Sequence, residues 1–131
     1  MSGETNLDTL LASMSPNLMA GEYVFCSVQG EYIDFNALSP LASFHEAEGL
    51  TLVITKEMAL ANQLAFESVF RGITLTVHSS LDAVGLTAAV SAKLATNNIS
   101  ANVIAAYYHD HIFVQTEKAE LALTVLNEFC S

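Results

Sequence analysis

The segment Ile73-Thr74-Leu75-Thr76-Val77-His78 alternates apolar and polar side chains with a period of two. That period demands a strand with one buried face, and a buried face demands a cover. Ser79-Ser80-Leu81-Asp82 reads as the loop that follows, and Leu86, Ala89, Val90 and Leu94 then fall at helical spacing up to Asn97-Asn98. Ala101 to Tyr108 and Ile112 to Gln115 read as two further strands, with His109-Asp110 at the turn between them. Thr116 is placed to cap a last helix, where Glu117 and Glu120 suit the positive end of the dipole. Ala119, Ala122, Leu123, Leu126 and Cys130 form its apolar face. The second half is therefore β–α–β–β–α.

The first half is less regular. Thr5-x-x-Asp8 has the form of a capping box, and Leu7, Leu10, Leu11 and Met14 form the stripe of a leading helix over 5–15 that Pro16 stops. Tyr23 to Val28 is a strand, and Gln29 to Leu41 a loop with one irregular turn. Ala42 to Ala47 and Leu50 to Thr55 flank Glu48-Gly49 as a hairpin. Thr55 caps a helix from Lys56 to about Leu64 with Met58, Ala61 and Leu64 inward, and Phe66 to Phe70 reads as a strand closed by Arg71-Gly72. A hairpin followed by a helix occurs in each half, which points to duplication of a ferredoxin-like βαββαβ unit. The expected class is α+β: two modules, 1–70 and 71–131, with antiparallel sheets and strands shared between them. An Arg71-Gly72 connection is too short for a flexible linker.

Composition narrows the partners. Four Lys+Arg against 14 Asp+Glu give a net charge of −10, so the basic footprint needed for nucleic acid or an anionic membrane surface is missing. No apolar run approaches the ~18 residues of a membrane span, and the N-terminus lacks the features of a secretory signal. Two cysteines, Cys26 and Cys130, are too few for a disulfide framework, so a reducing cytoplasm is the expected location. Apolar residues make up 52% of the chain and charged residues 14%, more apolar surface than a small monomer readily hides.

Leu81-Asp82-Ala83-Val84-Gly85-Leu86-Thr87-Ala88 resembles the strand-to-helix signature of ACT domains. Ile99-Ser100-Ala101-Asn102-Val103 resembles the entry to their second strand, and Tyr107-Tyr108-His109-Asp110-His111-Ile112-Phe113-Val114 a segment of small tandem-ACT proteins of bacteria. Phe44-His45-Glu46-Ala47-Glu48-Gly49-Leu50-Thr51-Leu52-Val53 is similar to their companion N-terminal module. Related ACT modules occur in the cytosolic arginine sensors of animals. The resemblance spans nearly the whole chain. It departs in two places: the first half has no good helix and no Asp-x-x-Gly after its first strand, and the second half ends without a fourth strand. The resemblance implies regulatory binding of a small molecule, often an amino acid, at interfaces between modules. No enzyme is attached in this sequence for such a module to control.

The loop Ser80, Leu81, Asp82, Ala83, Val84, Gly85, Leu86, Thr87 is the expected ligand site. Amides at a helix start hold a carboxylate, Gly85 permits close approach, and Asp82 can meet an ammonium group. The competing reading is that Asp82 caps the helix and Gly85 avoids a clash. Asn102 and Gln115 are expected on the same sheet edge as Asp82 and Gly85. His109 and His111, at i and i+2, suggest a metal, yet two imidazoles are not a site, and a structural role in the turn is expected. His78, Ser79 and Ser80 lack an orienting acid, and no Gly-rich phosphate motif exists. The expectation is a binding protein, neither an enzyme nor a cofactor carrier; the alternatives are an interaction module with a vestigial pocket and a small metal-dependent enzyme. The missing fourth strand leaves a bare sheet edge, so a homodimer, or strand exchange between the modules, is expected to close it.

Overall fold

The computed structural model describes residues 6–76 and 84–130. They fall into two compact units: the described parts of Met1–Ala20 with Arg71–Ser131, and Gly21–Phe70. The elements are helix α1 (Leu7–Ser13), strands β1 (Ser15–Leu18), β2 (Tyr23–Val28), β3 (Ala42–Glu46) and β4 (Gly49–Thr55), helix α2 (Lys56–Ala61), strand β5 (Phe70–Thr76), helix α3 (Leu86–Thr96), strands β6 (Asn102–Ala105) and β7 (Asp110–Gln115), and helix α4 (Ala119–Asn127).

In the unit Gly21–Phe70, β2 pairs antiparallel with β4 from Tyr23↔Thr55 to Val28↔Leu50, and β4 pairs with β3 through a turn at Ala47-Glu48. Phe70 pairs with Tyr23, and its ring meets that of Phe25 edge-on at 5.3 Å. Thr55 caps α2 by accepting the Met58 amide at 3.2 Å, as its sequence position suggested. The core is Val24, Cys26, Leu50, Leu52, Ile54 and Ala59, with Met58 and Leu64 packed at its margin. Ala61 is exposed and Ala59 takes the inward position; α2 stops at Ala61, short of the expected Leu64. The loop after β2 holds two single 3-10 turns, Tyr32–Asp34 and Asn36–Leu38. Residues 66–69 are not a strand. The two strands expected on either side of Arg71-Gly72 are one, β5, with both residues inside it.

The other unit has the strand order β1-β5-β7-β6. Ile73 and Leu75 of β5, and Ile112 and Val114 of β7, turn the same way into a core shared with Leu86, Val90 and Leu94 of α3 and Ala119, Ala122, Val125 and Leu126 of α4. The helix α3 ends where Asn98 adopts a left-handed φ of 60°, a conformation asparagine tolerates well, and the Ile99 amide bonds back to Leu94. The residues after α1, read from sequence only as the helix stop, form β1 and pair antiparallel with β5 from Ser15↔Thr76 to Leu18↔Ile73. Pro16 is tolerated there because β1 is a terminal strand of this unit. Leu10 and Met14 complete the same core at 0% and 2% exposure. The leading segment, expected within the N-terminal module, thus supplies the C-terminal unit with its fourth strand and a covering helix. Asn6 caps α1 by accepting the Thr9 amide at 3.0 Å; Thr5, the expected cap, lies outside the described residues.

Candidate functional site

Of the expected ligand loop, Ser80, Leu81, Asp82 and Ala83 lie outside the described residues, as do His78 and Ser79. Val84 is 84% exposed. Gly85 caps α3 with φ +101° and offers no side-chain acceptor. The first amides of a helix have no intrahelical partner, so the start of α3 presents donors toward the loop that precedes it. Thr87 is exposed beside them, while Leu86 turns into the core at 4%. Gly85 has a structural reason of its own. A Cβ there would need the left-handed region and would stand 3.2 Å from Cδ2 of Leu7 on α1.

Asn102 and Gln115 do not join this edge. A Cβ on Gly72 would stand 3.0 Å from the Phe113 ring, and Thr74 Oγ1 lies 3.0 Å from His111 Nδ1. Numbers rising along β5 meet numbers falling along β7, so these neighbours run antiparallel. The end of β5 at Thr76 therefore lies beside the start of β7, and Gln115 lies beside the start of β5. Asn102, paired with Phe113 and donating from Nδ2 to its carbonyl at 3.1 Å, shares that far end. At ~3.3 Å per residue, four or five residues separate the two ends by roughly 15 Å. The expected edge assumed that the first and third strands run parallel. The helical crossover makes the first and second strands parallel, and the hairpin then reverses the third.

What lies at the end of β5 is the turn of the β6–β7 hairpin. It is longer than expected: β6 stops at Ala105, Ala106 donates to the His109 carbonyl at 3.1 Å, and Asp110 already belongs to β7. Tyr107 and Tyr108 stand out from the turn at 66% and 64% exposure, their rings edge-on at 4.9 Å. Burial pushes the Asp110 carboxyl up from its ordinary value, against the pull of His111 and His109. Burial pushes His111 down, with His109 adding to the effect and Asp110 opposing it. A neutral His111 is suited to its contact with the Thr74 hydroxyl. No group of three metal-ligating side chains occurs among the described residues. The sequence signal for this cluster was visible in His109-Asp110-His111; its neighbour, the end of β5, was not.

Two family models, both for an ACT domain, match the chain in tandem over residues 2–71 and 67–128. The chain belongs to the ACT-domain family, as a tandem of two such domains. A crystal structure of a protein of unknown function from Vibrio cholerae, called a possible transport protein, is 59% identical, with a TM-score of 0.90 over 95% of this chain and 96% of that one. The ligand-free regulatory subunit of aspartate kinase from Thermus thermophilus has a TM-score of 0.63 at 10% identity, over 92% of this chain and 99% of that one. Escherichia coli aspartokinase III in complex with aspartate and ADP has a TM-score of 0.61 at 10% identity, over 88% of this chain and 32% of that one. At such identities the likeness is one of fold. No curated protein matches the chain. ACT domains are regulatory ligand-binding modules, and neither family match indicates a catalytic domain. No helix among the described residues is long and apolar enough to cross a membrane.

Proposed function

We propose that the chain is a regulatory protein that binds an amino acid at the loop leading into α3, residues Ser80 to Thr87. The observation that carries this reading is the start of α3, without a side-chain cap at Gly85, in a chain built of two ACT domains. The amides there would receive the ligand's carboxylate, helped by the helix dipole. Asp82 would meet its ammonium group, and Asp110, whose carboxyl is half-buried at the same end of the sheet, is a second acid within this region. Asn102 and Gln115 take no part. The protein acts in the cytoplasm by passing its ligand state to a partner through a module or subunit interface. It does so as a homodimer, a reading supported by β3, a terminal strand of its unit that carries Phe44 at 70% exposure. The bare fourth-strand edge that first suggested a dimer is filled by β1.

A thermal-shift screen of the twenty amino acids, followed by calorimetry on the best hit, tests the assignment. A hydrogen bond to a charged group contributes on the order of 1.5–3 kcal/mol, so Asp82→Ala should weaken binding roughly ten- to a hundredfold. If no amino acid raises the melting temperature, the assignment fails. Unchanged affinity in Asp82→Ala would move the ligand to another site, for which the loop Gln29 to Asp34 is the next to test. Light scattering at micromolar concentration reads the dimer directly.

A further inference from the structure

Arg71 is the only arginine in the chain, and it stands near the start of β5, at the opposite end of the strand from the ligand loop. It donates from Nη2 to the Met19 carbonyl at 3.0 Å. Its Nε is buried and has no hydrogen-bond partner among the described residues. It forms no ion pair with any described carboxylate, although the chain has 14 Asp+Glu against 4 Lys+Arg. Two of the three lysines do find acids: Lys56 lies 3.9 Å from Glu22, and Lys93 3.0 Å from Glu128. In so acidic a chain a cation is surrounded by potential partners. A half-buried guanidinium without a counter-charge forgoes stability, because one carbonyl bond meets only part of its charge and its inner donor is unpaired. The bond to Met19 fixes the plane of the fork and leaves the remaining Nη hydrogens for another acceptor.

We propose that Arg71 anchors an oxyanion of a small molecule, a carboxylate or a phosphate, at the end of the sheet where β5 begins and β7 ends. The fork of a guanidinium matches both groups geometrically. This site is separate from the loop before α3 and does not depend on the amino-acid reading.

The test is calorimetric titration of the whole protein with inorganic phosphate and, separately, with succinate. Saturable binding of phosphate alone identifies a phosphate ester as the class, and of succinate alone a carboxylate. Arg71→Met should weaken the binding at least tenfold, and Arg71→Lys, which keeps the charge without the fork, by less. Saturating amounts of the best amino acid from the screen should leave the titration unchanged. Without added anion, Arg71→Met loses the bond to the Met19 carbonyl and should melt a few degrees lower at most. The proposal is overturned if neither probe binds saturably, or if affinity survives in Arg71→Met.

Discussion

Replacing Leu10 by Ala tests whether the leading segment is part of the core around β5 and β7. Leu10 is fully buried with Ile73, Leu75, Val90 and Leu94, and belongs to no other cluster. Removing a buried leucine side chain loses its transfer free energy and leaves a cavity, together about 3–4 kcal/mol when the surroundings close only partly. A chain of this length unfolds with an entropy of roughly 0.28 kcal/mol/K, so the melting temperature should fall by about 10–14 °C. Urea denaturation followed by circular dichroism gives the loss at 25 °C, with the slope checked against wild type so that a change in two-state behaviour is noticed. The cycle that locates the effect pairs Leu10→Ala with Val90→Ala, then with Leu52→Ala in the other core. Members of one packed cluster couple by ~0.5–3 kcal/mol, whereas independent sites add within ~0.5 kcal/mol. A loss below about 1 kcal/mol, or coupling to Leu52 rather than to Val90, would refute the assignment of α1 and β1 to the C-terminal unit.

Gly72→Ala should destabilise despite conserving a strand-compatible backbone. The added Cβ would stand 2.6 Å from Met19 Sδ and 3.0 Å from the Phe113 ring, and Phe113 is fully buried. Overpacking of this kind costs about 1–3 kcal/mol, offset by at most ~1 kcal/mol of unfolded-chain entropy, and a net gain in denaturation midpoint would contradict it. The half-buried pair on β7 should act on stability in opposite directions. Because His111 binds its proton less readily when folded than at its ordinary 6.5, stability is complete above that pH and should fall as pH drops below it. Asp110, raised from 3.8, favours the folded state while protonated and should lose that contribution as pH rises through its folded value. Stability curves against pH for His111→Gln and Asp110→Asn should each lack the matching slope, and carboxyl and imidazole titrations by NMR give the two directions independently.

Local burial wrote the regular elements into the sequence. Tyr23–Val28 and the alternation of Ile73, Leu75 and their polar neighbours mark strands because a half-buried strand must alternate or sit in an apolar run. Leu86, Val90 and Leu94 mark α3 by the 3.6-residue period, and the order β–α–β–β–α limits the topology to a sheet covered by helices on one face. Resemblance in short motifs then reached the family, which the two tandem matches establish. The N-terminal strand was illegible. Ser15-Pro16-Asn17-Leu18 has no buried residue, and its proline reads as a breaker; it is a strand only because the edge of β5 offers hydrogen-bonding groups to a segment more than fifty residues away. The site was half legible for a similar reason. Sequence identifies a Gly-led helix start and an acidic, imidazole-bearing turn, but which of them share an end of the sheet follows from strand direction. Direction is set by the crossover and the hairpin acting together through space, and so Asn102, Gln115 and Arg71 gather at one end of the unit while Gly85 and His109-Asp110-His111 lie at the other.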